Sequence, residues 1–387
     1  MQPAVSDSNL PENPLPRPPA RLTIVSHSMG AGGAERLVSI LAAEWATRGR
    51  EVTLITLEAE GSDFYDLPTS VHRIGLALSG RSSGLWAALC NNWSRVSALR
   101  RHIRASRADV VISFVDNSNL LTLLATALSR QSVVVCEQVH PGHHPIGPVR
   151  SCLRKVLYPR ARAVVVQTEQ IREWMREHVQ GSSLYVIPNP VLPCHAADVM
   201  DAASPEALQR AMVSMGRLVP QKGFDLLLRA FASCAEGHPE WVLQIMGEGP
   251  EEEALRTLAS ELGIAERVHF LGLVKKPHIV FHRSEFFVLP SRFEGLPNAL
   301  SEAMACGLAA VAFDCPSGPR DVIRHGVDGL LVPPENVEAL GEALDRLMSD
   351  GAERKRLGLC APAVVDRFSV ERVVRMWDSV LMAATAV

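Results

Sequence analysis

The sequence predicts an α/β protein of two doubly wound, Rossmann-like domains facing each other across a cleft. Short β-branched runs alternate with longer helical patterns, the alternation stops at a proline-rich break after residue 186, and it then starts again. At 387 residues the chain is long for one core and comfortable for two.

In the first half the strands are expected at Leu22–Ser26, Val52–Leu57, Val110–Phe114, Ser132–Cys136, Ala163–Gln167 and Leu184–Ile187. Most are apolar on consecutive residues, as parallel strands covered on both faces are. Between them Glu35–Thr47 sets Leu37, Ile40, Leu41 and Trp45 on one helical face. The run Ile187-Pro-Asn-Pro190 can continue neither a helix nor a central strand, so it opens a linker. The second half repeats the alternation with strands at Met212–Met215, Trp241–Met246, Val268–Leu271, Phe286–Leu289, Ala309–Phe313 and Gly329–Val332. After Ser369, the residues Val373, Val374, Trp377, Val380 and Leu381 form the apolar stripe of a last helix, with its packing partner left open. The chain thus divides into a leader over 1–20, a first domain over 21–186, a linker over 187–205, a second domain over 206–368 and a C-terminal helix over 369–387. The leader holds six prolines and no periodicity, a composition expected to be disordered.

Composition narrows the function classes. No apolar run reaches the roughly 18 residues of a membrane span, and no signal peptide is expected at the N-terminus. The eight cysteines include no C-x-x-C pair, and Cys136, Cys306 and Cys315 lie in apolar surroundings, which fits reduced thiols and the cytoplasm. Charge is unevenly divided: residues 21–186 hold 19 basic against 13 acidic side chains, although the whole chain is net −3. Two basic clusters produce this, Arg95, Arg100, Arg101, Arg104 and Arg107, then Arg150, Arg154, Lys155, Arg160 and Arg162. They read as solvated helix faces or as a surface that meets the inner face of an anionic membrane. Nucleic acid is not expected as a partner, because no aromatics are interleaved with the basic residues.

The chemistry concentrates in three loops. In Phe293-Glu294-Gly-Leu-Pro-Asn-Ala-Leu-Ser-Glu302, two carboxylates flank a turn that enters a helix near Ala299. Free N–H groups at a helix N-terminus favour an anion, and carboxylates accept sugar hydroxyls, so this layout suits a nucleotide sugar. In Met215-Gly216-Arg217-Leu-Val-Pro-Gln-Lys222-Gly223, two cations at the carboxyl end of a strand can converge on a diphosphate. The turn holding Gly30, Gly32 and Gly33 lets backbone approach a ligand, but it lacks the dinucleotide fingerprint because position 35 is Glu.

These motifs, together with Gly318-Pro-Arg-Asp-Val-Ile-x-x-Gly326-x-x-Gly329-Leu-Leu-Val-Pro, resemble the retaining glycosyltransferases of family 4, glycosyl transferases group 1. The resemblance runs from Arg21 to the end and is strongest over 211–335. It implies the GT-B fold, an acceptor-binding first domain, and a second domain that holds a nucleotide diphosphate sugar, UDP-sugar being favoured. On that resemblance Glu302 binds the ribose hydroxyls, while Glu294 and the backbone of Gly295, Leu296 and Pro297 hold the donor sugar. Asn298, Ala299 and Leu300 present N–H groups to phosphate beside Gly216, Arg217 and Lys222 neutralise the diphosphate, and Gly32 and Gly33 close from the first domain. His140, past the strand ending at Cys136, is the candidate for contacting the sugar or positioning the acceptor. Its neighbourhood departs from the family pattern at Gln138 and His140.

The expected activity is transfer of a hexose to a growing glycan, polyprenyl-diphosphate-linked, in cell-surface polysaccharide assembly. Cations and N–H dipoles aimed at the leaving diphosphate lower the barrier by roughly 3–4 kcal/mol per well-placed donor. The chain has no D-x-D motif, and His140, His143 and His144 lack nearby thiols, so neither a metal nor a cofactor is expected. Two other readings keep the fold, a nucleotide-sugar epimerase or phosphorylase and a non-catalytic nucleotide-sugar-binding protein.

Overall fold

The computed structural model describes residues 18–61, 63–80, 84–194 and 210–385. The proline-rich leader falls outside them apart from 18–20, and the expected linker is described only to Cys194.

Each half folds around a parallel sheet. In the first, the strands lie in the order Val71–Gly75, Glu51–Thr56, Arg21–Ser26, Val110–Phe114, Ser132–Cys136, Ala163–Val166, Leu184–Val186. In the second the order is Val268–Gly272, Trp241–Met246, Arg210–Met215, Phe286–Leu289, Ala309–Phe313, Gly329–Val332. Every strand pairing is parallel, and the sequence order reverses beside Arg21–Ser26 and beside Arg210–Met215. Crevices at such reversals are where open α/β sheets bind ligands. The glycine turn at 30–33, the Gly216–Lys222 loop and the Ser291–Glu294 loop all leave strands next to those two points.

Consecutive apolar residues put both sheet faces in the core, as Ile24, Val25, Leu54, Ile55, Val111 and Ile112 illustrate. The strand Val71–Gly75 was not among the expected ones. It is an edge strand in which only Val71 is buried, so its sequence lacks the apolar run of the inner strands.

The last helix, Val370–Thr385, crosses back and packs on the first domain. Trp377 meets Trp45 edge to face at 6.1 Å and 84°, with Phe114 at 5.8 Å, while Arg50 pairs with Asp378 at 2.7 Å. The two crossings between domains run side by side, since Val191 N–H donates to Phe368 O at 2.8 Å.

One membrane-facing expectation fails. Arg154 is only 4% exposed and pairs with the buried Glu137 at 3.2 Å, so it serves the core and not a surface. Arg95 and Arg100 donate to the carbonyls of Leu78, Gly80 and Ala125, leaving Arg101, Arg104, Arg107, Arg150, Lys155, Arg160 and Arg162 as the exposed cations of the two clusters.

Candidate active site

Lys222 and Glu294 form one corner of the cleft, built wholly from the second domain. Strand Arg210–Met215 ends at Gly216, whose bare Cα leaves room for the Lys222 stem. A short turn, Pro220–Lys222, then aims the side chain inward. Lys222 Nζ donates to Glu294 Oε1 at 2.6 Å, and Ser291 Oγ donates to the same oxygen at 2.6 Å. The glutamate is buried, so it needs both donors. Arg292 staples the two loops together by donating to Pro220 O at 2.7 Å, and it also holds Asp225 at 2.7 Å and Glu335 at 3.0 Å. Arg217 stands exposed at the same strand end, with no ion pair among the described residues.

The second corner joins the domains. Helix Asn298–Ala305 starts after Pro297, so the N–H groups of Asn298, Ala299 and Leu300 face the cleft without carbonyl partners inside the helix. Glu302, on that helix, receives Arg36 Nε from the first domain at 2.5 Å. Burial pushes the Glu302 carboxyl above the usual carboxylate range, and the Arg36 guanidinium works against that rise. A cavity of about 190 Å³ opens beside them, lined by Arg36, Glu302, Cys194, His278, Phe281 and Cys306 among others.

A chain of amides runs along the seam between the corners. Asn298 Nδ2 donates to Gly33 O at 2.9 Å, Asn189 Nδ2 to Asn298 Oδ1 at 2.8 Å, and Gln167 Nε2 to Asn189 Oδ1 at 2.9 Å. Gln167 also donates to Gln138 Oε1 at 2.6 Å and accepts the Leu296 N–H at 2.7 Å. Thr168 and Ser317 hydroxyls meet at 2.7 Å. Close approach explains two glycines: a Cβ on Gly33 would stand 2.8 Å from Asn298 Nδ2, and one on Gly295 2.2 Å from Gln138 O. Arg36, Gln138, Gln167, Asn189 and Ser317 were not among the expected site residues. Gln138 and Gln167 do sit just past the ends of apolar strands, which is the one local signal they offer.

His140 is placed at the cleft wall but not in described contact with either glutamate. It is 5% exposed, accepts the Gly142 N–H at 3.2 Å, and packs between His143 and Trp174. His143 in turn stacks on Phe293, next to Glu294, at 5.9 Å. Burial, assisted by His143, lowers the His140 pKa to about 4, so the ring is neutral at pH 7.

Beyond the cleft, helix Leu85–Ser106 carries Trp86, Leu89 and Trp93 at i, i+3 and i+7, with the two tryptophans 82% and 70% exposed. Helix Pro148–Leu157 likewise exposes Val149 and Val156. No described helix is long and apolar enough to cross a membrane.

A lysine-held carboxylate, a helix N-terminus and a second carboxylate line one cleft, an arrangement that can bind a phosphorylated sugar. The "Glycosyl transferase 4-like domain" model matches residues 32–190, and the "Glycosyl transferases group 1" model matches 203–362. The chain is 34% identical over 318 residues to an exopolysaccharide phosphotransferase of Streptomyces coelicolor, covering 79% of this chain but only 32% of that protein. It is 26% identical to a Campylobacter jejuni GalNAc-alpha-(1->4)-GalNAc-alpha-(1->3)-diNAcBac-PP-undecaprenol alpha-1,4-N-acetyl-D-galactosaminyltransferase, covering 92% and 97% of the two chains. Among solved structures, Thermosynechococcus elongatus sucrose-phosphate synthase superposes with a TM-score of 0.80 at 19% identity over 93% of this chain and 98% of that one. Anabaena HepE in complex with UDP and glucose gives 0.74 at 19% identity over the same shares. At such identities the structures speak for the fold, and the family matches for the activity. The chain belongs to the group 1 glycosyl transferases of the family 4 type, and it is a glycosyltransferase with the GT-B fold.

Proposed function

We propose that this transferase moves a hexosyl group, with retention, from a nucleotide diphosphate sugar to a growing glycan on a polyprenyl diphosphate. Bacterial polysaccharide assembly is the setting, and UDP is the favoured nucleotide. The observation that carries this reading is the pair of half-buried Lys222 and buried Glu294 beside the first turn of helix Asn298–Ala305. Lys222, Arg217 and the N–H groups of residues 298–300 then face the diphosphate, while Glu294 and the backbone of 295–297 take the sugar hydroxyls. Glu302 takes the ribose, and Gly32 and Gly33 close over the phosphates.

In the reaction, the bond from the sugar C1 to the diphosphate oxygen breaks, and the acceptor oxygen bonds C1 on the same face. The acceptor proton passes to the departing phosphate oxygen. Fixed cations and dipoles stabilise the charge that grows on that oxygen, in a site with little water to reorganise. A neutral His140 acts as a hydrogen-bonding wall to the acceptor, since a ring with a pKa near 4 carries no charge at working pH. No metal is assigned to this step.

Two comparisons support the substrates: Anabaena HepE was solved with UDP and glucose, and the Campylobacter relative is named for a PP-undecaprenol acceptor. For the membrane side, the support is the exposed Trp86, Leu89 and Trp93 with Arg101 and Arg104 on the same helix. Aromatic side chains favour the bilayer interface and cations favour anionic headgroups.

Melting curves across a panel of nucleotide sugars test the donor, because a ligand of the native state raises the transition. A rise with one UDP-sugar and its transfer to a lipid-linked acceptor is the expected result. No rise with any nucleotide sugar overturns the donor assignment. Flotation with anionic vesicles should capture the wild type and lose the Trp86→Ser/Trp93→Ser double variant. Equal flotation of both removes the tryptophan stripe as the contact.

A further inference from the structure

Three side chains that the transfer site does not use converge beside the cavity next to Glu302. Cys194 ends the described part of the linker, His282 ends helix Pro277–His282, and Cys306 caps helix Asn298–Ala305. One ligand atom from each lies within 4.8 Å of the other two, and Cys194 Sγ stands 3.2 Å from His282 Nε2. Neither cysteine is in a disulfide, and all three side chains are half-buried. Among the described residues, no other three His, Cys, Asp or Glu side chains meet this way. The expectation that Cys306 is an ordinary core cysteine therefore needs amending: it touches the second core from one side and this cluster from the other.

The donor set selects the ion. Two thiolates and an imidazole suit a soft or borderline divalent cation, whereas Mg²⁺ and Ca²⁺ prefer oxygen. Tetrahedral zinc, with bonds of roughly 2.3 Å to sulfur and 2.0–2.1 Å to nitrogen, holds its donors roughly 3.5–3.8 Å apart. To reach that spacing the Cys194–His282 pair opens from 3.2 Å by a few tenths of an ångström, and a pair at the 4.8 Å limit closes by about an ångström. A thiol–imidazole contact joins Cys194 to His282, and Cys306 brings a second sulfur within 4.8 Å of both. A fourth position of such an ion would face the cavity, which His278, four residues before His282, also lines.

We infer that Cys194, His282 and Cys306 form a three-ligand site for Zn²⁺ or a similar soft divalent ion. The ion pins the linker to two helices of the second domain, and the claim stands apart from the choice of donor or acceptor.

The test uses the full chain, chelator-stripped and kept reduced, titrated with Co²⁺ alone. One equivalent should bind with a thiolate-to-cobalt charge-transfer band, and Zn²⁺ should displace it. Cys194→Ser, Cys306→Ser and His282→Ala should each weaken binding at least tenfold, while Cys234→Ser, at a thiol bonded to its own helix carbonyls, should not. Zn²⁺ should raise the melting temperature of the wild type and leave Cys194→Ser unmoved. Cys306 touches the second core, so Cys306→Ser can lose its fold; Zn²⁺ protection of Cys194 and Cys306 from alkylation in the wild type keeps the question answerable. Cobalt bound without a thiolate band, or equally well by Cys194→Ser and Cys306→Ser, places the ion elsewhere and overturns the inference. So does a Cys194–Cys306 disulfide whose reduction restores no metal uptake.

Discussion

Glu294 and Glu302 share one short motif, yet they answer to cations from opposite domains. Glu294 is locked by Lys222 and Ser291, both in the second domain, and Arg292 ties those loops to each other. Glu302 meets Arg36, which rides on a first-domain helix. The first corner is complete whenever the second domain is folded. The second exists only when the two domains are docked. Ligand positioning can thus be pre-formed at one carboxylate and conditional at the other, within a single helix and its preceding turn.

Breaking the pre-formed corner should have the largest effect. Lys222→Ala should cut the transfer rate about 10²–10³-fold, the loss that follows removal of one fixed donor at a developing oxyanion. It also strands a buried carboxylate, so the melting point of the second domain should fall, with a cost of about 3–5 kcal/mol. Steady-state rates and calorimetry check both, and an unimpaired rate would falsify the corner as the diphosphate site. Glu302→Ala comes next: if Glu302 accepts the ribose hydroxyls as proposed, its loss should raise the donor KM by about 1.5–3 kcal/mol equivalent, with kcat less affected. A fall in kcat at unchanged KM would move Glu302 from binding into the chemical step.

Arg36→Ala sharpens the conditional side. The pair is partly exposed, so its removal should cost about 1 kcal/mol or less in stability. The sign with pH is informative. Glu302 holds its proton to higher pH when folded than when unfolded, so folding becomes costlier as pH rises through that raised pKa. Arg36 offsets the cost only while Glu302 is charged. The deficit of Arg36→Ala should therefore be largest above that raised pKa and shrink as pH falls below it; urea titrations across the transition showing one constant deficit would refute the link. The smallest expected change is at His140. With a pKa near 4, its protonation lies below the working range, and a pH–rate profile from 5.5 to 8 should keep its shape in His140→Gln. Loss of an acidic limb near 6.5 in the variant would show that the ring titrates after all.

The two corners differ in the same way in how much the sequence discloses. Lys222 and Glu294 lie in loops at the carboxyl ends of strands Arg210–Met215 and Phe286–Leu289, which pair side by side, so reading the strands already brings the two loops together. The twelve expected strands are all present, since apolar runs bounded by breakers are a local property. Arg36, Gln167 and Asn189 are different. Their partners are more than 100 residues away in the other domain, and no periodicity encodes how two finished domains dock. Arg154 was misread for a related reason: a helix face rich in cations looks solvated until Glu137 is placed against it. Val71–Gly75 escaped because an edge strand needs few apolar residues.

The returning C-terminal helix sets the order in which this protein can be made. Val373, Val374, Trp377, Val380 and Leu381 complete a core whose other half, with Trp45 and Phe114, leaves the ribosome hundreds of residues earlier. Throughout synthesis of the second domain, the nascent first domain carries an uncovered apolar face, a surface of the kind chaperones hold and aggregates grow from. Release of the finished chain, rather than emergence of its first domain, is then the step that commits it to the native state. A stop just before residue 370 would leave the second domain whole beside a first domain that cannot close its own core.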